Sequence, residues 1–382
     1  MTRVIVSELI LRWALERSGR PEVLARKFPK LSEWLDGESQ PTLRQLEVFA
    51  KATSTPLGYF FLPRPPEDRL SIPYFRTLGD DRPRRPSPDL LETVQTMERR
   101  QAWIHDYMIE RDYEPVAFVG SGRLADEPEQ LARDMRRTLG IAGEWADNQP
   151  TWTAALRELQ RKAEEAAILV AVSGIVGNNT RRRLDPSEFR GFVLVDEYAP
   201  LVFINGADGK AAQMFTLAHE LAHVWLGSSA AFDLRELRPA DDETEQACNR
   251  VAAEFLVPAR ELRESWPAVR RDPERFQTMA RRFKVSELVV ARRVLDLAII
   301  RNDEFIEFYH AYLERERTPA AGQGGGNFYA TQSLRIGRRF GETVVRAVGE
   351  GKLLYRDAYR LTGLYGATFE RYAKSFDFGG PL

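Results

Sequence analysis

The chain has 382 residues, 43% hydrophobic and 29% charged, which allows two to three domains around a sizeable core and excludes a disordered or fibrous chain. Its 55 Lys+Arg against 56 Asp+Glu leave a net charge of -1, so a whole-chain polycation that coats nucleic acid is excluded, while a local basic patch is not. A single cysteine, Cys248, rules out an internal disulfide and a cysteine zinc finger; Met1 to Leu15 lacks the apolar stretch of a signal peptide and no apolar run is long enough to span a membrane, so a cytoplasmic location is expected.

Residues 1–66 have helical periodicity. Leu9, Ile10, Trp13, Ala14 and Arg17 mark one helix, and Val23, Leu24 and Phe28 a second with Pro21 in its first turn. Leu43, Leu46, Phe49 and Ala50 mark another, and Pro56 to Pro66 is expected to leave as an ordered, extended segment. Residues 67–115 divide into a Pro- and Arg-rich linker, with Pro73 and Pro83 among Arg82, Arg84 and Arg85, and a long helix over about 88–112. Residues 116–272 are the α+β part, with helices expected at 127–139 and 152–165 and a strand over Ile168–Val172. A hairpin from Phe189 to Asn205 should set Phe192 and Leu194 against Leu201 and Phe203, and helices follow at 210–226 and 241–257. A helical module over 273–317 and a C-terminal helical unit over 318–382 complete the chain. Gly324-Gly325-Gly326 lacks the Lys-Ser/Thr of a phosphate loop and is read as a hinge. The fold class is α+β, mostly helical, with a small sheet.

Two of the four histidines fall in His219-Glu220-Leu221-Ala222-His223. On a helix, residues i and i+4 share a face, so both imidazoles can reach one metal ion while Glu220 approaches a water. Composition alone yields about 0.003 such motifs in a chain like this, so the pattern is specific. Phe215, Ala218, Leu221, Ala222 and Trp225 would bury the helix, and Gly227 offers its stop. A catalytic zinc takes three protein ligands and leaves one position open. Glu245, on the next helix, could supply the third; Asn249, one turn on, could orient a ligand. Asp241, Asp242 and Glu243 are read as acids at the helix start. Cys248 is a rival ligand, but its position beside Asn249 is read as turning it away from Glu245 and into the core.

The segment Phe215–Leu226, with Glu245, Asn249 and Ala252–Pro258 after it and Phe189–Leu194 and Ala199–Asn205 before it, resembles the ImmA/IrrE zinc metallopeptidases. The resemblance covers roughly 116–300. It implies a gluzincin-like helix pair packed on the sheet, with His219, His223 and Glu245 holding Zn2+ (or Mn2+) and Glu220 as general base. It also implies intracellular cleavage of a regulatory protein, typically a helix-turn-helix repressor. By likeness to gluzincins, Leu201, Phe203 and Asn205 would form the edge that receives an extended substrate. A second oxyanion donor is normally wanted. His310, Tyr309 and Tyr198 are candidates among which the sequence does not choose, and His105 is read as structural.

The flanks resemble other modules. Residues about 20–62 are similar to Xre/Cro helix-turn-helix domains in Glu22–Phe28, Trp34–Glu38, Gln40–Thr42 and Leu46 to Ala50, although the recognition helix is shortened around Pro29. DNA is therefore an implied partner, and the combination of modules resembles toxin–antitoxin gene pairs, which implies a toxin partner. Arg281, Arg282, Lys284, Arg292 and Arg293 form a basic cluster read as a solvated helix face. Arg335, Arg338, Arg339 and Arg346, interleaved with Phe328, Tyr329, Phe340, Tyr355 and Tyr359, are read as a core stripe with a charged rim. The rival to proteolysis is a DNA-binding regulator or antitoxin whose metal site is a sensor or vestige.

Overall fold

The periodic apolar residues of the first segment condense into four short helices in the computed structural model, which describes residues 3–67, 70, 86–228, 230–232, 242–316 and 328–376. These are α1 (Glu8–Arg17), α2 (Pro21–Lys27), α3 (Leu31–Leu35) and α4 (Leu43–Ala52). Pro21 opens α2, where its missing N–H costs nothing. Thr42 caps α4 reciprocally: its hydroxyl accepts from Gln45 N, and Gln45 Oε1 accepts from Thr42 N. Ile10, Leu11, Trp34, Leu46, Phe49 and Phe60 are buried in a core of their own, with Phe28 and Phe49 edge-to-face at 5.3 Å. The exit after Pro56 is not extended as expected. Leu57–Phe61 forms a 3-10 turn, which folds Phe60 back onto Phe49 where an extended chain would have left it in water.

By its contacts the chain divides into two units, residues 1–71 with 80–95, and residues 72–79 with 96–382. Helix α5 (Pro88–Ile109) crosses that boundary. The second unit continues with α6 (Pro128–Thr138), α7 (Trp152–Glu165), β1 (Leu169–Ser173), β2 (Gly191–Leu194), β3 (Leu201–Asn205), α8 (Lys210–Leu226), β4 (Ala230–Phe232) and α9 (Glu243–Leu256). After these come α10 (Ala259–Val269), α11 (Arg275–Phe283), α12 (Glu287–Asp296), α13 (Asn302–Glu316), α14 (Phe328–Ile336), α15 (Arg338–Gly349), α16 (Tyr355–Thr362) and α17 (Ala367–Ala373). This is a mostly helical α+β unit. The linker arginines and Gly324–Gly326 lie outside the described residues.

The sheet runs in the order β1-β3-β2-β4, with β1 parallel to β3 and the other pairs antiparallel. The hairpin register sets Phe192 against Phe203 and Leu194 against Leu201. Every residue of β1, β2 and β3 is buried, which explains their continuous apolar runs. Helix α8 packs on β2 and β3 and against α9, while α7, α14 and α15 pack on β1.

Two expectations are corrected here. Strand β3 is internal, paired with β1 on one side and β2 on the other, so Leu201, Phe203 and Asn205 form no free edge for a substrate. Their side chains are buried, and Asn205 serves the fold by donating to Phe189 O and accepting from Ala207 N. The basic cluster of α11–α12 is only partly a solvated face. Arg293 is buried, paired with Glu254 and donating to Val257 O, and Lys284 donates to Arg281 O.

Candidate metal centre

Helix α8 is buried from Gln213 to Trp225, so its polar side chains at 219, 220 and 223 are functional or costly. It stops at Gly227, whose φ of +71° suits glycine. That left-handed residue turns the chain back on itself. Ser228 N donates to His223 O, and Ser228 Oγ lies 2.9 Å from His223 Nδ1. Helix α9 begins at Asp242, whose carboxylate accepts from Thr244 N and Glu245 N, as read for an acid at the helix start. Asp241 lies outside the described residues.

The packing of α8 on α9 brings three side chains to one point. His219 Nε2 lies 3.1 Å from Glu245 Oε2, His223 Nε2 lies 3.1 Å from Glu245 Oε1, and the two Nε2 atoms are 3.1 Å apart. His219 Nδ1 is 3.1 Å from Asn249 Oδ1. An amide oxygen only accepts, so His219 carries its proton on Nδ1 and turns the Nε2 lone pair inward. With the Nδ1 atoms occupied by Asn249 and Ser228, the two Nε2 atoms and the Glu245 carboxylate face one another in a buried place, a donor set of the kind that holds a divalent cation. Ligand atoms around a tetrahedral ion with bonds of about 2.0–2.1 Å are roughly 3.3 Å apart, close to the spacing seen. Both oxygens of Glu220, and Glu245 Oε1, are buried without a hydrogen-bond partner. The residues fit a divalent cation.

Cys248 stands closer than expected. Its Sγ and the two imidazoles offer ligand atoms within 4.8 Å of one another, because residues three apart on a helix are neighbours and 248 follows 245 by three. It is nevertheless part of the hydrophobic core, and burial pushes its thiol well above the ordinary value.

Electrostatics separates the two glutamates. Burial alone would raise Glu245, but contacts with His219 and His223 outweigh it and hold the carboxyl at about 2. Glu220 has no such partner; burial, with the charge of Glu245, pushes it well above the ordinary range. His219 is lowered by burial against the pull of Glu245.

The sheet meets the site through Gly191. A methyl built there would lie 2.6 Å from Thr216 Cγ2, 2.9 Å from Phe203 O and 3.0 Å from Glu220 Oε1. Only a residue without Cβ lets β2 come so near the helix. The suggested oxyanion donors have their described contacts elsewhere. Tyr198 sits against His105 at 5.4 Å, Tyr309 stacks on Phe305, and His310 is exposed on α13.

Residues 163–295 match the family model of the IrrE N-terminal-like domain, Peptidase_M78. That stretch is similar to the ImmA/IrrE metallopeptidases. The peptidase-like stretch takes in the whole cluster, from α8 through α9 to α12, and its match points to a metallopeptidase of that type. Residues 336–375 match the model of a domain of unknown function, DUF8813. No curated protein matches the chain. Ser228 had not been singled out from sequence; its only signal is its place directly after the glycine that ends the metal helix.

Proposed function

We propose that the chain is a zinc-dependent endopeptidase acting on a regulatory protein, with a helix-turn-helix repressor as the substrate class and the cytoplasm as its place of action. The observation that carries this reading is the convergence of His219, His223 and Glu245 at 3.1 Å in a buried site, inside the stretch similar to metallopeptidases. Those three residues would hold the ion, with Asn249 and Ser228 fixing the two rings through Nδ1. Glu245 is preferred to Cys248 because its oxygens reach both rings at 3.1 Å. When bound, the ion supplies a Lewis acid for the peptide carbonyl and acidifies a water. Zinc suits two imidazoles and one carboxylate, and manganese is the alternative.

The remaining chemistry belongs to Glu220. Its carboxylate takes the proton of the attacking water and returns it to the leaving amine. Its two oxygens are buried beside Gly191 without a protein partner, which leaves them for that water. The strand-addition role passes from β3 to β4, which pairs on one side with β2. An extended peptide laid there would be read through its backbone.

Metal analysis of the purified chain with a candidate repressor as substrate tests the proposal. The wild type should hold about one zinc per chain. Glu220→Gln should keep it and lose cleavage by at least about 100-fold, Glu245→Ala should lose the metal, and Cys248→Ala should keep both. Cleavage that survives in Glu220→Gln, or metal that depends on Cys248 and not on Glu245, overturns the assignment.

A further inference from the structure

The residues matched by the domain of unknown function lie apart from the chemistry proposed above. Helix α15 buries Phe340, Val344, Val345 and Val348 together with Ala358, Leu364, Phe369, Tyr372 and Ala373 from the elements that follow. The turn between α16 and α17 is tight. Gly363, at φ +70°, ends α16 and donates to Tyr359 O at 2.8 Å. Thr362 Oγ1 donates to Ala358 O and accepts from Leu364 N. Four residues, Gly363–Gly366, then lead into α17. Two short helices joined by a four-residue glycine turn, the first packed on α15, follow the element order of a helix-turn-helix.

Most apolar residues of this module face inward, Leu354 at 64% exposed being an exception, and the outward residues are basic and aromatic with Glu350 and Glu370 among them. On α17 the exposed residues Ala367, Glu370, Arg371 and Lys374 fall on one helical face, opposite Phe369, Tyr372 and Ala373. On α16 the side chains of Arg356 and Arg360 are 70% and 73% exposed, either side of Asp357. Residues 352–374 hold five Lys/Arg against two acids, in a chain whose net charge is -1. Tyr365 stands 65% exposed in the turn and Tyr355 46% exposed at the start of α16, each braced from behind by Tyr359 or Phe369. Arg356 Nε and Arg360 Nη1 lie 3.4 and 3.8 Å from Asp357 Oδ1, exposed pairs of small net worth that a phosphate can replace. Arg339 is engaged by Glu164, and Arg346 by Glu342.

We propose that the α15–α17 module is a duplex-DNA-binding surface, with α17 directed at a groove and Lys352, Arg356, Arg360, Arg371 and Lys374 at the flanking phosphates. Charge complementarity selects a polyanion. The pairing of a short, cation-lined second helix beginning with the small residues Ala367 and Thr368 with a rigid turn selects a duplex over an acidic protein. Tyr365 and Tyr355 would rest on sugar and backbone at the rim. The proposal is independent of the peptidase reading, since it uses none of the metal-centre residues.

Fluorescence anisotropy of the full chain on a mixed-sequence duplex of about 20 bp, titrated with salt from about 50 to 200 mM, tests it. The variant Arg360→Gln/Arg371→Gln/Lys374→Gln should bind at least about tenfold more weakly at intermediate salt, with a salt slope shallower by about 2–3. The charge-preserving Arg360→Lys/Arg371→Lys should bind as the wild type does. Thermal stability and metal content should match the wild type in both, which separates loss of the surface from loss of the fold. The proposal is overturned if the triple variant binds like the wild type, which would place any binding elsewhere in the chain. It is equally overturned if the wild type shows no binding at the lowest salt, if a single strand of the same length binds more tightly than the duplex, or if a polyglutamate peptide does.

Discussion

At Gly191 the absence of a side chain is what sets the distance between β2 and the helix that carries Glu220. A Cβ there would meet the Thr216 methyl, the Phe203 carbonyl and Glu220 Oε1 at 2.6, 2.9 and 3.0 Å. The carbonyl belongs to the sheet and cannot yield, so Gly191→Ala should turn the Thr216 methyl and the Glu220 carboxylate aside. Overpacking of this kind costs about 1–3 kcal/mol, and a general base displaced by a fraction of an ångström loses roughly tenfold or more in kcat. Metal content and KM should change little, because His219, His223 and Glu245 do not touch the glycine. Full activity with an unshifted Tm would mean that the contact is slack. This residue also shows where sequence reading stops. His219, Glu220 and His223 announce themselves by a helical spacing, and Glu245 and Asn249 by a one-turn spacing on the next helix. Gly191 and Ser228 act through tertiary proximity and a chain reversal, which no local pattern encodes. Cys248 lies in the core as its sequence position suggests, while its spacing of three from Glu245 also brings its thiol near the two imidazoles.

Between elements, a buried carboxyl joins α7 to α15. Glu164, near the end of α7, accepts from Arg339 N at 3.0 Å at the start of α15, and Arg339 Nη1 donates to Glu164 O. Burial raises the carboxyl to about 7 even though the N–H groups of Arg339 and Arg338 pull it down. The folded state therefore binds this proton more tightly than the unfolded chain, whose glutamate titrates near 4.3. The stability it contributes is complete below about pH 4.3 and is lost as the pH rises through about 7. Gln accepts the same bond and carries no charge. Glu164→Gln should thus match the wild type at low pH and exceed it by on the order of 2 kcal/mol at about pH 8, visible as a Tm higher by several degrees. A Tm difference that does not vary with pH would rule this out. The elements themselves were legible where periodicity is strong. The β2–β3 register and the α6, α7, α8 and α9 helices follow from alternation and from 3.6-residue spacing. Helix α10 had no counterpart in the sequence reading; Pro258 sits at its cap and Pro267 within it, a composition that does not advertise a helix. The three-residue β4 carries too few residues to show a period, and the internal position of β3 depends on the parallel partner β1, which lies about thirty residues upstream.

On the scale of the whole molecule, the described residues of the first unit hold a hydrophobic core around Phe49 and Trp34, and those of the second hold one around α8 and α9. Cooperative unfolding follows a shared core, so heating should melt the chain in two transitions, with the greater enthalpy in the larger unit. Only the larger unit contains His219, His223 and Glu245. A cation that binds the folded site and not the unfolded chain adds about 2.7 kcal/mol at a free concentration of 100 times its Kd. For a unit of this size that amounts to a Tm shift of roughly 4–5 °C. Scanning calorimetry with zinc and then with a chelator should therefore lower the larger transition by that amount and leave the smaller one in place, and Glu245→Ala should make the larger transition insensitive to chelator. A chelator that moves the smaller transition instead, or that moves neither in protein shown to carry zinc beforehand, would mean that the ion does not sit between α8 and α9.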